Sequence, residues 1–344
     1  MQTFLNLPES IEEAITNILA QNSNPFETST AEKLHDRYLN REKGKNDTFL
    51  NGFADALAYL TMRLPATYTQ VAATLLSIQE QLPSWKPQTL LDIGAGPGTG
   101  AFAANTIWPS LQSATCVDMN NDLINLGKKI STDAQLSTEI VWKHADIREG
   151  ITENETYDVV LLANVLNELS KFDSEELIQK AYKLCKGVLI IVEPGTSFGN
   201  TLVQSVAKRM SDSGILLAPY LNNSFIKDKD YWVHFSQKFI RPDFQRQVRQ
   251  QMRESSLMAS DWEETKFCYV AISKIKPENH FWGRCIGPVN KQKGFLEVPI
   301  LTEGNISQVK VMKRHKEQYT FAKNLKWGQL IPREENLIFP RELS

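Results

Sequence analysis

Residues 90–100 read LLDIGAGPGTG, an apolar run that meets an acid and then breaks into glycines. The apolar residues fit a buried strand, and the glycines fit a tight turn that opens a helix. Gly94, Gly96 and Gly98 let the backbone turn sharply and let a ligand approach closely. No GK[ST] follows, so the stretch is not a P-loop. A dinucleotide site stays open on the glycines alone. Two details weigh against it. Asp92 precedes the glycines, where a carboxylate suits a cationic ligand better than a pyrophosphate, and Pro97 replaces one of the usual helix-start residues.

Working outward, short apolar runs alternate with helical stretches from residue 89 on: TLLDI (89–93), ATCVD (114–118), EIVWK (139–143), YDVVLLA (157–163) and VLIIVE (188–193). Their length and β-branched content predict buried parallel strands with crossover helices. ILLAP (215–219) and FCYVAIS (267–273) are weaker strand candidates. The fold class is therefore α/β, an open doubly wound sheet whose ligand sits beyond the carboxyl ends of the strands. Residues 1–88 read as helical. Ser10 and Glu13 make a candidate capping box, and FLNGFADALAYLTMRL is interrupted by Pro65 before PATYTQVAATLLSIQEQL resumes the helical pattern. Short apolar segments between Gly, Pro and Asn (CIGPV, GFLEVPIL, SQVKVM) predict a small β-rich unit, followed by a basic helix over KRHKEQYTFAKNLKWG. The expected domains are 1–88, 89–274 and 275–344.

The chain has 344 residues, 42% hydrophobic and 23% charged, enough for about two globular domains. Net charge is −2, but Lys274–Gly328 carries eleven Lys/Arg against four Glu, which sets a basic tail against an acidic body. Cys116, Cys185, Cys268 and Cys285 are far apart and form no CxxC pair, which argues against disulfides or zinc. The N-terminal residues carry neither a secretory nor a mitochondrial leader pattern, and the longest apolar runs are too short to span a bilayer. A cytoplasmic protein with no membrane partner is expected.

The acid-first loop resembles motif I of the class I S-adenosylmethionine-dependent methyltransferases. Further matches follow in order along the chain. Asp118 of CVDMN ends the next predicted strand, where a carboxylate can accept both hydroxyl protons of a ribose. HADI places Asp146 after the third strand, and LLANVLNEL places Asn164 and Glu168 after the fourth. The resemblance implies S-adenosylmethionine as cofactor, with contacts from Asp92, Gly94, Ala95, Gly96, Gly98, Asp118, Met119, Asp146, Ile147 and Asn164. Each acid at a strand end also fits a plain helix cap. Methyl transfer needs positioning more than acid–base chemistry, so catalytic residues are hard to read; Asn164, Asn167 and Glu168 are the candidates. The stretch ANVLNEL lacks the [N/D]PP[Y/F] pattern of base-amine methylation, and no cysteine there suits carbon methylation.

A closer resemblance covers about Arg63 to Trp327. RLPATYTQV, IVEPGT, WVHFSQKFIRPDFQRQVR, KFCYVAISK and KRHKEQYTFAKNLKWGQ, in this order, are similar to a methyltransferase-like family of the mitochondrial small ribosomal subunit that also has bacterial members. That family implies association with the small subunit and its RNA, and an iron–sulfur cluster held by four cysteines. Here Tyr220 and Val233 stand at two of the cysteine positions, and neither replaces a thiolate, so no cluster and no metal are expected. Arg246, Arg249 and Arg253, spaced for one helix face, with Lys313 and Arg314 of the tail, are the candidate RNA contacts. The expected function is a methyltransferase or methyltransferase-like protein of ribosome assembly. A non-catalytic, cofactor-binding assembly factor and a small-molecule methyltransferase are the alternatives.

Overall fold

The computed structural model describes residues 4–22, 52–149, 155–221, 223–224, 226, 231–251 and 260–332. The five strongest strand candidates form one parallel array: β1 (Thr89–Ile93), β2 (Ser113–Asp118), β3 (Glu139–His144), β4 (Tyr157–Ala163) and β5 (Cys185–Pro194). Helices α4 (Thr99–Ile107), α5 (Asn121–Asp133) and α6 (Lys171–Leu184) cross between them. After β5 come α7 (Ser197–Met210), β6 (Ile215–Ala218), β7 (Phe235–Ile240), α8 (Asp243–Gln251) and β8 (Trp262–Ser273). The strand order is β3-β2-β1-β4-β5-β8-β6, with β8 antiparallel to β5 and β7 also paired to β8. This is the open α/β sheet that the resemblance to class I methyltransferases implies. The order reverses at β1 and β4, which puts the switch-point crevice over the glycine turn.

Two strands depart from the sequence expectation. β8 extends five residues upstream of Phe267, and β7 pairs with that extension from Phe235↔Phe267 to Ile240↔Trp262. Both segments are polar on one face, so they lack the continuous apolar run that marks a strand buried on both sides. The edge of β7 is covered by the N-terminal segment, where the Leu5 amide donates to the Lys238 carbonyl at 3.0 Å and Asn6 Oδ1 accepts from the Ile240 amide at 2.8 Å.

Helix α1 (Glu9–Gln21) starts at Pro8, and Ser10 lies inside its first turn without a capping bond, so the expected capping box is absent. Helices α2 (Phe53–Met62) and α3 (Leu64–Gln79) abut at Arg63. Pro65 sits in the first turn of α3, where its missing N–H is harmless. Helix α3 is buried on nearly every side, and its polar residues reach inward: Gln70 Nε2 donates to Thr265 Oγ1 at 2.7 Å, and Gln81, just past its end, bonds the Leu217 carbonyl. The helices therefore share one core with the sheet, from Ile11 and Leu60 through Val160 to Val270.

A second, antiparallel sheet follows: β9 (Phe281–Cys285), β10 (Asn290–Gln292), β11 (Phe295–Thr302), β12 (Asn305–Met312) and β13 (Leu330–Pro332). Helix α9 (Lys316–Asn324) packs on it around Val298, Ile300, Val309 and Ala322. Among the described residues, no helix is long and apolar enough to cross a membrane.

Arg284 joins the two sheets. It lies on β9 with 0% of its surface exposed. Its Nε donates to the Pro219 carbonyl at 2.9 Å, and one terminal nitrogen donates to Ser77 Oγ at 2.9 Å and to the Gly328 carbonyl at 2.7 Å. Ser77 in turn lies 2.9 Å from the Tyr269 hydroxyl. Replacing Arg284 by Leu leaves the buried Pro219 carbonyl and the part-buried Gly328 carbonyl without this donor, at about 1–3 kcal/mol each at most. Urea unfolding of Arg284→Leu should show a loss of about 2 kcal/mol or more, and a change within about 0.5 kcal/mol would contradict this role.

Candidate cofactor site

The carboxyl end of β1 runs directly into the glycine turn. Gly94, Gly96 and Gly98 have φ of +68°, +56° and +83°. Two of them are also closed to any larger residue: a Cβ on Gly94 would lie 2.6 Å from Val165, and one on Gly98 would lie 2.6 Å from Trp142. Gly96 differs, since its Cβ position meets nothing closer than Leu123 at 3.7 Å and the Tyr59 hydroxyl at 4.0 Å. The turn is thus closed against the protein at two glycines, while at the third a Cβ would meet only ordinary contacts.

Asp92 lies beneath this turn and not in it. It is 1% exposed, and its Oδ2 accepts the Ala101 amide at 3.2 Å, inside the first turn of α4. Burial pushes its carboxyl up to about 7, against the lowering effect of the Ala101 bond. In this structure Asp92 acts as a buried cap that sets the path of the loop.

Asp118, at the end of β2, faces the turn. Its Oδ2 accepts the Gly96 amide at 2.7 Å and its Oδ1 accepts the Asn120 amide at 2.8 Å. Burial raises its carboxyl more than these amides lower it. The Met119 amide also bears on this carboxylate, which has capacity left for a further donor. Met119 follows, 45% exposed, and its carbonyl is bonded to His144 Nε2 at 2.9 Å. Ala95 is buried in the turn, and Ile147 packs partly buried at the edge of the core. Asp146 is engaged differently from expectation. Both its oxygens take Arg148 Nε, at 2.9 and 3.0 Å, and this pairing lowers its carboxyl. An adenine amine would have to compete with that guanidinium.

The segment after β4 is held by two residues that sequence reasoning passed over, Glu193 and Gln70, with a third, Tyr59, close by. Glu193, 0% exposed at the end of β5, accepts the Leu166 amide at 2.9 Å and the Asn167 side-chain amide at 2.8 Å. Burial pushes Glu193 up to about 8. Gln70 of α3 accepts from Asn164 Nδ2 at 3.4 Å. Tyr59 of α2 is hydrogen-bonded to Thr67 and is pushed up to about 12, chiefly by burial and then by the charges of Glu168 and Asp118. The only sequence signal for these was their place in IVEPGT, RLPATYTQV and the α2 pattern. Asn164 takes a left-handed φ of +61°, a conformation asparagine tolerates better than most residues. Its Oδ1 is buried with no partner among the described residues, as is Thr99 Oγ1 at the start of α4. Asn164 and Asn167 thus bond to the scaffold, while Glu168 is exposed at the mouth.

These features fit a ligand that offers vicinal hydroxyls to Asp118, lies over Gly96 and brings a donor to Asn164. They do not bring the candidate RNA residues together. Arg246 pairs with Asp243 on its own helix, and half-buried Arg249 pairs with Glu263 at 3.1 Å, so α8 offers no open arginine face. Arg253 lies outside the described residues. Lys313 and Arg314 are exposed in the turn before α9. At the two family cysteine positions, Tyr220 and Val233 are buried at 2% and 5% exposure, and Cys268 Sγ donates to the Val233 carbonyl at 3.2 Å. Among the described residues, no three His, Cys, Asp or Glu side chains converge on a metal-sized site.

The sequence pattern of the family described as mitochondrial small ribosomal subunit Rsm22 matches residues 53–332. The human ribosome assembly protein METTL17, mitochondrial, is 27% identical over 296 residues, covering 80% of this chain and 62% of that protein. The Schizosaccharomyces pombe Rsm22-cox11 tandem protein 2, mitochondrial, is 25% identical over 334 residues, covering 81% of this chain and 43% of that protein. The chain thus spans about two-fifths to three-fifths of the length of these relatives. Among solved structures, the N-methyltransferase NodS from Bradyrhizobium japonicum, in complex with S-adenosyl-L-homocysteine, matches with a TM-score of 0.40 at 14% identity, over 71% of this chain and 97% of that one.

The buried carboxyl of Asp92 makes stability depend on pH. In the folded protein it keeps its proton to about pH 7, whereas in the unfolded chain it ionises near 3.8. The unfolded state binds fewer protons between these values, so stability falls as pH rises from about 4 to about 7. Asp92→Asn keeps a carbonyl for Ala101 and removes the titration. Thermal melts from pH 4.5 to 7.5 should show the variant gaining on the wild type by on the order of 3 kcal/mol. Parallel curves would show that Asp92 is ionised in the fold.

Proposed function

The chain belongs to the Rsm22 family of the mitochondrial small ribosomal subunit, and on that premise we propose that it is an S-adenosylmethionine-binding, methyltransferase-like protein that acts on the small ribosomal subunit during assembly. The observation that carries the cofactor is the pairing of Gly96, whose Cβ position meets only ordinary contacts, with Asp118, whose carboxylate bonds the Gly96 amide at 2.7 Å and has capacity left for a ribose hydroxyl. The unpartnered Asn164 Oδ1 supports a donor on the ligand, such as its ammonium group. The bound sulfonium would supply an activated methyl group; the protein's part is to hold it and exclude water.

Support for an RNA partner comes from the tail. Lys313, Arg314 and Lys316 crowd the N-terminal end of α9, where Glu317 is the opposing charge in the first turn; the helix dipole disfavours cations there, and a phosphate would relieve the remaining repulsion. A non-catalytic reading has its own observation: Asn164 and Asn167, the amides nearest the mouth, both donate to protein acceptors, Gln70 and Glu193. Neither amide is then free to orient a nucleophile without rearrangement.

The chain is also proposed to fold without an iron–sulfur cluster, because Tyr220 and Val233 supply no thiolate and are packed into the core. Purified protein should contain less than about 0.1 iron per chain and show no visible charge-transfer absorption. Stoichiometric iron with acid-labile sulfide would overturn this.

Calorimetric titration with S-adenosylmethionine should show one site, weakened at least about tenfold in Asp118→Ala by loss of the diol acceptor. Gradient co-sedimentation should place the protein with small subunits. Conversion of the methyl donor in the presence of those subunits separates an enzyme from a binding protein. A wild type that neither binds the donor nor sediments with subunits would sink the proposal.

A further inference from the structure

The outer end of the large sheet carries a surface that the cofactor site does not use. Residues that pair across an antiparallel ladder share a face. Ser236, Lys238 and Ile240 of β7 therefore line up with Lys266, Glu264 and Trp262 of β8. The opposite face, with Phe235, Phe239, Thr265 and Phe267, is buried. The solvent face is unusually rich in large apolar groups: Trp262 is 39% exposed, Ile240 44%, and Trp232, just upstream of β7, 43%. Exposed aromatic surface of this kind marks a place where something binds.

Its geometry indicates what. Trp232 stacks on the His234 imidazole, with 4.4 Å between ring centroids and 26° between planes. Trp327 meets the same imidazole edge-on at 4.9 Å, and its Nε1 donates to the His234 carbonyl at 3.0 Å. With one ring face against His234, the exposure of Trp232 lies on its other face and its edge. Burial, helped by the nearby Lys266 charge, lowers the His234 imidazole and keeps it neutral, as suits a stacked ring. At the far end Lys238 Nζ lies 4.0 Å over the Trp262 ring, so a cation is held in place there. Lys266 and Lys238 sit on diagonal positions of the ladder, about 7 Å apart, close to the repeat of an extended nucleotide chain.

We propose that this face of β7 and β8 seats single-stranded RNA, with a base stacked on the open face of Trp232 and the phosphates passing Lys266 and Lys238. This rests on the proposed association with small-subunit RNA and says which surface makes the contact. A flat ring backed by a second ring takes any base. A duplex cannot use it, since its bases are stacked on one another. A protein hot spot would call for a pocket that encloses the anchor, whereas Trp232 stands on an open face beside lysines. Glu264 shares this face and accepts from the Ser236 hydroxyl; its charge opposes a phosphate chain.

The test is fluorescence anisotropy of the full chain with a labelled single-stranded RNA octamer, run beside co-sedimentation with small subunits. Trp232→Ala should weaken octamer binding about tenfold or more, and Trp232→Phe should retain most of it. Glu264→Gln should tighten binding, most at low salt, a gain that general damage to the fold would not produce. An RNA duplex of the same length should compete poorly. Octamer affinity unchanged in Trp232→Ala, or weakened in Glu264→Gln, would overturn the proposal while subunit sedimentation of the wild type stayed intact. Trp232-dependent binding to subunit proteins stripped of RNA would overturn it in favour of a protein contact. A wild type that binds neither octamer nor subunits would bring down this inference and the proposed function together.

Discussion

The buried guanidinium of Arg284 is the contact on which the arrangement of the two sheets depends. A charge taken wholly out of water is costly unless its donors are met. Here three acceptors, from the loop after β6, helix α3 and the turn before β13, meet its Nε and one terminal nitrogen, while the other terminal nitrogen is buried without a partner among the described residues. Apolar packing alone leaves such layers free to slide, because it is not directional. A planar fork of donors is directional, and it fixes β9 against α3. That in turn fixes the helix whose Gln70 reaches the cofactor crevice.

The crevice follows the same logic on a smaller scale. Its two buried carboxyls, Asp92 and Glu193, are spent on backbone amides of the turns that line it. Asp92 shapes the glycine turn from below, and Glu193 clamps the turn that carries Asn167 and Glu168. Polar groups on the ligand side, Asp118 and Asn164, retain bonding capacity. The division between supporting and contacting acids is set by depth in the sheet.

That division explains what was legible in the sequence. The parallel strands, the glycine turn and Asp118 could be read directly, because a buried strand must be continuously apolar and a tight turn must use glycine. Asp92 could be read as special but not as buried, since the same acid-first pattern fits a cap and a ligand contact. Glu193, Gln70 and Tyr59 act across distances the local pattern does not encode; Gln70 meets Thr265 from 195 residues away. Strand β7 escaped notice because only one of its faces is apolar. The spacing of Arg246 and Arg249 correctly put them on one helix, yet it could not show that Asp243 and Glu263 neutralise them.

The long reach of α3 has a consequence for how the protein comes into being. Its inward bonds join Ser77 to Arg284 and Gln70 to Thr265, pairs separated by 207 and 195 residues. A chain emerging from a ribosome would make α2 and α3 early, yet their partners would arrive only near the end of synthesis. Until then the helix would present apolar surface with nothing to cover it, and Gln70, which holds Asn164, would itself lack its partner on β8. A protein of this design completes the support behind the turn after β4 in one late step, so that truncated translation products would carry the glycine turn without it.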